Sequence, residues 1–242
     1  MIRMLVSVRD VAEALTVAEA EVDFIDLKEP RAGALGGLPL AAIREIVAAL
    51  RARGHALPVS ATIGDLEMDD VPAIVHQVHA VGACGVDYVK VGIERHPGSA
   101  AVLQALAALP WQVVPVFIAD HGFDLDLIAQ ARSFPAVMMD TADKRSGSLF
   151  DVASTAELRR FVSTVRGFGA LVGLAGALRQ RHLPALAALA PDFAGFRSAV
   201  CAGDRGSALD RALLRQLASQ LRALPAPGVS SDTACAAAAV GN

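Results

Sequence analysis

Apolar runs of four to eight residues recur along the chain, each followed by a polar break and a longer segment of mixed polarity. The runs span residues 4–8, 23–28, 58–63, 88–93, 112–119, 136–140, 171–174 and 193–196. They are almost continuously apolar, as strands buried on both faces of a parallel sheet are. The segments between them carry apolar residues at helical spacing, such as Val11, Leu15 and Val17. They predict a helix capped by Asp10 and reaching residue 21, then helices at 39–53, 70–83, 97–109, 124–132, 155–167, 181–190 and 207–224. Pro39 stands at a first-turn position, where its missing N–H costs nothing. A polar loop is expected over 141–150.

Eight strand–helix units with short connections imply a parallel sheet. Their combined length matches an α/β fold of one kind, a single (β/α)8 TIM barrel, for which ~250 residues is typical. The rival, a doubly wound open sheet, usually shows GxGxxG after its first strand. Here Ser7-Val-Arg-Asp10 stands at that place. The barrel is therefore expected to occupy residues 1–224 as the catalytic domain. The Pro-, Ser- and Ala-rich stretch 225–242 is expected to be an irregular or mobile tail.

Composition narrows the partners. With 54% hydrophobic and 19% charged residues, 242 residues can bury a large core. Net charge is −3 with no basic block, which argues against nucleic acid. No apolar run approaches the ~20 residues of a membrane span, and the N-terminus reads as a strand rather than a signal peptide. Cys84, Cys201 and Cys235 are odd in number and lack CxxC spacing, which suggests reduced thiols and a cytoplasmic location. The alanine-rich helices would suit a homo-oligomer or tight barrel packing equally.

One count stands out. Of 22 basic residues only three, Lys28, Lys90 and Lys144, are lysines; the other 19 are arginines. In a barrel the active site lies at the C-terminal ends of the strands. Reading those ends gives Lys28 after the second strand, Asp65 after the third, Lys90 in the fourth, Asp120 after the fifth, and Asp140 with Lys144 at the sixth. All three lysines fall on one face. Lys90, inside an apolar run, needs a carboxylate, with Asp26, Asp140 and Glu94 as candidates. Loss of hydration favours the neutral, nucleophilic amine, and a neutral lysine can attack a carbonyl and form a Schiff base. The iminium acidifies the adjacent carbon, and a second lysine can act as acid and base. Asp26 and Asp140, each near a lysine in sequence, can hold an ammonium or shuttle a proton.

Barrels often bind phosphate at the loops after strands seven and eight. Gly173 and Gly176 would let backbone N–H groups approach an anion, and Arg197 and Ser198 would add charge-assisted and hydroxyl bonds. Other motifs point elsewhere. His76 and His79 share a helix but lack a third metal ligand. His121 stands at a strand end and could line the pocket. No GxSxG appears, and the cysteines have no base beside them in sequence.

Ile25-Asp-Leu-Lys-Glu-Pro-Arg-Ala-Gly-Ala-Leu-Gly36 carries a resemblance, supported by Tyr88-Val-Lys-Val-Gly-Ile93, Met139-Asp-Thr-Ala-Asp-Lys144 and Ser148-Leu-Phe-Asp151. Over residues 4–224 the chain resembles the (5-formylfuran-3-yl)methyl phosphate synthase family, also called 4-(hydroxymethyl)-2-furancarboxaldehyde-phosphate synthase. The resemblance implies a TIM barrel that condenses two molecules of glyceraldehyde 3-phosphate into a furan phosphate for methanofuran-type carriers. It implies the Schiff base at Lys28, the proton acceptor at Lys90, and further active-site roles for Asp26, Asp140 and Lys144. It implies no metal and no organic cofactor. Another class I aldolase acting on sugar phosphates, or a non-catalytic phosphate-sensing barrel, stays open on the residues alone.

Overall fold

The computed structural model describes residues 1–33, 35–142 and 147–225. Lys144, Cys235 and the tail beyond Pro225 lie outside them. Eight parallel strands form a closed barrel in chain order: β1 (Arg3–Val8), β2 (Phe24–Leu27), β3 (Val59–Thr62), β4 (Tyr88–Ile93), β5 (Val113–Ile118), β6 (Ala136–Asp140), β7 (Leu171–Leu174) and β8 (Phe193–Phe196). β8 closes the ring by pairing with β1, Leu5 beside Gly195. The helices are α1 (Val11–Ala18), α2 (Leu40–Ala52), α3 (Val71–Gly82), α4 (Ser99–Ala107), α5 (Leu125–Ala129), α6 (Leu149–Val152), α7 (Thr155–Gly167), α8 (Leu183–Leu189) and α9 (Arg211–Arg222). The expected TIM barrel is the fold.

Strand side chains alternate between two layers. Met4, Val6, Val8, Ile25, Leu27, Val89, Val91, Val137 and Met139 join the helices in the outer core. Leu5, Val114, Val116, Met138 and Phe193 form a smaller cluster inside the barrel. Several other positions of the same alternation are polar: Ser7, Asp26, Ser60, Thr62, Lys90 and Asp140. The barrel interior is thus apolar towards the N-terminal ends and polar towards the C-terminal ends, and Lys28 continues β2 in the inward phase. Register sets Ser7 beside Asp26, Asp26 beside Ser60, and Thr62 beside Lys90.

Side chains set the helix starts. Asp10 accepts the Glu13 N–H at 2.9 Å, and Asp124 accepts that of Leu127 at 3.0 Å. Ser154 and Glu157 form a capping box on α7. Two expectations need correction. The last helix begins at Arg211, not 207, because Asp210 accepts from both Ala212 and Leu213 N–H, while Ser207 donates to Asp204 in the preceding loop. The loop expected over 141–150 runs into the short helix α6, started by a capping box of Ser148 and Asp151.

Gly173 is inward on β7, and a Cβ there would stand 2.3 Å from the Phe193 ring. Gly173→Ala should therefore overpack the inner cluster and destabilise the fold by about 1–3 kcal/mol. Chemical denaturation checks this; an unchanged midpoint would mean that the ring moves aside freely.

Candidate active site

Four ionisable side chains meet inside the barrel at the C-terminal ends of β2, β4 and β6. Lys28 is 6% exposed, Lys90 3%, Asp26 1% and Asp140 4%. Sequence proximity suggests pairing Asp26 with Lys28, but the pairs cross. Lys90 Nζ lies 3.0 Å from Asp26 Oδ2, and Lys28 Nζ lies 3.2 Å from Asp140 Oδ2. Closure of the barrel brings β6 across to β2, which no local pattern reveals. Two further donors hold Asp26: Ser60 Oγ at 2.6 Å and Ser7 Oγ at 3.1 Å. Asp140 also accepts the Thr141 N–H at 2.7 Å. Each buried cation therefore has a carboxylate, as desolvated charge requires.

Glu94, the third candidate for Lys90, is on the surface, with His121 at 3.6 Å. His121 lines a neighbouring cleft with Asp65 and Glu94, apart from the lysines. Asp65 and Asp120, both at strand ends, act on loops. Asp65 accepts the Leu35 N–H at 3.0 Å, and Asp120 accepts that of Ala142 at 2.6 Å. His79 Nδ1 accepts the Trp111 indole N–H, a structural contact. Among the described residues no cluster of three metal-ligating side chains occurs. Burial raises the thiol pKa of both Cys84 and Cys201, which keeps them protonated at neutral pH.

A pocket opens above the lysine pairs, with about 540 Å³ of space including its mouth. Lys28, Lys90, Asp26 and Asp140 form one wall; Gly176, Ser198, Arg197 and Arg205 stand on another. Gly176 (φ +110°) turns the chain after β7, where a Cβ would crowd Thr141 and Leu149. Arg179 Nη1 donates to the Ser198 carbonyl at 2.8 Å and ties the loops after β7 and β8 together. Gly173 does not line this pocket; its reason is the packing of Phe193.

Arg197 is placed otherwise than an anion ligand needs. Its Nη1 and Nη2 take Glu13 at 2.6 and 3.0 Å. Its remaining N–H groups go to the carbonyls of Ser7, Arg205 and Ser207. A guanidinium has five N–H donors, and all are engaged. Burial opposes its charge, but the bonds and charge of Glu13 raise its pKa overall. Sequence reasoning missed Glu13, which reads as an ordinary helix acid, and Arg205, whose signal is an arginine between the turn formers Asp204 and Gly206.

Fold and site together define a barrel with two buried lysine–carboxylate pairs beneath a pocket built from the β7 and β8 loops. Residues 4–218 match the family described as 4-HFC-P synthase, and the chain belongs to that family. A relative from Methylorubrum extorquens is 38% identical over 226 residues, covering 92% of this chain and 93% of its own. The (5-formylfuran-3-yl)methyl phosphate synthase of Archaeoglobus fulgidus is 34% identical over 231 residues, covering 89% and 97%. Among solved structures, phosphoribosyl anthranilate isomerase from Thermus thermophilus is similar with a TM-score of 0.65 and 16% identity, over 93% of this chain and 100% of that one. At that identity the likeness speaks for the fold alone.

Proposed function

We propose that this chain condenses two molecules of glyceraldehyde 3-phosphate into (5-formylfuran-3-yl)methyl phosphate through a Schiff base on Lys28. The observation that carries the reading is the pair of buried lysines, each on its own carboxylate, under a pocket with further positive charge. Membership of the family and the name of the Archaeoglobus relative support it.

In this reading one glyceraldehyde 3-phosphate enters the pocket and is isomerised there to its ketone. Lys28 yields a proton to Asp140, 3.2 Å away, and the freed amine attacks the carbonyl. Water leaves and an iminium forms. Lys90, relieved of a proton by Asp26, removes a proton from the carbon beside the iminium. The resulting enamine adds to the aldehyde of the second triose. Water then returns to hydrolyse the iminium and free the Lys28 amine, and net loss of one phosphate and two waters leaves the furan, with no change in overall oxidation state. Lys144, outside the described residues, enters this reading on its sequence position only. Gly176 and Ser198 offer bonds to a substrate phosphate.

The full chain incubated with glyceraldehyde 3-phosphate should release a strongly ultraviolet-absorbing furan aldehyde, and borohydride should fix a triose adduct on Lys28 by peptide mass. A non-absorbing sugar phosphate with the same adduct would indicate an ordinary class I aldolase. An unchanged mass with no product would leave only a phosphate-sensing barrel.

A further inference from the structure

The loop after β8 carries two arginines with different fates. Arg197 spends all its donors on Glu13 and three carbonyls. Arg205 is half-buried on the pocket wall, and among the described residues no hydrogen bond or ion pair engages its guanidinium. Burial pulls its pKa below arginine's usual value, with Asp140 and Glu29 opposing. A cation that has lost water and gained no hydrogen-bonding anion is costly, and such a site favours an incoming anion.

The backbone on either side of Arg205 is fixed. Its own carbonyl accepts Arg197 Nε at 2.9 Å, and the Ser207 carbonyl accepts Arg197 Nη2 at 2.9 Å. The Gly206 carbonyl accepts Arg9 Nη1 at 2.5 Å, and the Gly206 N–H donates to Asp204 at 2.9 Å. Glu13 joins the two clamping arginines, with Arg9 Nε at 3.2 Å and Arg197 Nη1 at 2.6 Å. A short antiparallel bridge, Cys201 to Leu209, closes the base of the loop. A preorganised cation binds better than one ordered on contact.

We propose that Arg205 binds the phosphate monoester of the substrate, with the Arg9–Glu13–Arg197 cluster holding it in place. This rests on the reading above that the substrates are phosphorylated. Gly176 and Ser198 lie on the same pocket and complete the anion's surroundings. Arg197, the arginine that sequence position favours, is a positioning residue.

The test uses the full chain and inorganic phosphate as the probe, with titration calorimetry as the readout. Arg205→Gln should weaken phosphate binding roughly 10- to 100-fold, the range for losing a charged hydrogen-bond partner. R205K should recover part of it. Km for triose phosphate should rise with a smaller change in kcat, and borohydride trapping on Lys28 should fall more for glyceraldehyde 3-phosphate than for unphosphorylated glyceraldehyde. Glu13→Gln, assayed well below its melting temperature, should weaken phosphate binding several-fold; a merely structural Glu13 would lower the melting temperature and leave that affinity unmoved. Parent-like phosphate affinity in R205Q, or no phosphate binding by the parent chain, overturns the proposal. Phosphate binding is measured without turnover. Loss of binding in R205Q from a chain that makes no furan would therefore sink the synthase reading and leave this one standing.

Discussion

Lys28→Ala should abolish furan formation and the borohydride adduct together. The alanine variant keeps the pocket and Lys90 but has no amine from which an iminium can form. Removing a nucleophile that carries a covalent intermediate costs on the order of 10⁴- to 10⁶-fold in kcat. Lys28→Arg is the sharper control: it keeps a cation for Asp140 but supplies no nucleophile, so it should be as inactive as the alanine variant while folding at least as well. Product release by either variant above about one part in a thousand of the parent rate would remove Lys28 from the covalent step. Lys90→Ala should behave differently. It should lower kcat by about 10²- to 10⁴-fold, the usual range for a general acid–base group, yet still give an adduct on Lys28.

The largest stability effect is expected at Asp26. Its carboxylate holds Lys90 at 3.0 Å with both groups almost fully buried. Asp26→Ala leaves an ammonium without its counter-charge, and breaking a buried pair this way costs about 3–5 kcal/mol. For a domain of this size each kcal/mol lowers the melting temperature by roughly 2–4 °C, so a fall of roughly 6–20 °C is expected. Asp26→Asn should lose less, because the amide still meets Ser7 and Ser60. Replacing both partners with apolar residues, Asp26→Leu with Lys90→Met, should recover much of the loss while leaving catalysis absent. Calorimetry on these three variants beside the parent decides. A single Asp26→Ala variant as stable as the parent would show that Lys90 finds another partner or sheds its proton at no cost.

These expectations rest on features with different origins. The eight strand–helix units were legible because each strand is a short apolar run and each helix a separate amphipathic segment. Boundaries slipped where polar side chains chose between neighbouring caps, as when Asp210 rather than Ser207 started α9. The two buried lysines, to which the proposed mechanism gives the chemistry, stood out in composition: in a chain that uses arginine for its surface charge, a lysine within an apolar run has a chemical reason.

The side of the pocket proposed to bind an anion was harder to read. Gly173, Gly176, Arg197 and Ser198 were chosen by their place in the barrel plan. Three of the four line the pocket, but place alone does not say where a side chain spends its bonds. Gly173 makes room for Phe193. Arg197 is drawn to Glu13, some 184 residues away in sequence, and Arg205 takes the open position beside it.

The sequence by itself therefore determined the strand–helix rhythm and the end of the barrel at which Asp26, Lys28, Lys90 and Asp140 gather. These follow from periodicity and polarity, which are local properties. Only the tertiary structure decided which carboxylate each lysine meets and which of the two pocket arginines spends its donors within the protein. Those choices depend on strand register, on the closing of β8 against β1, and on a buried charge taking the nearest counter-charge in space, whatever its distance along the chain.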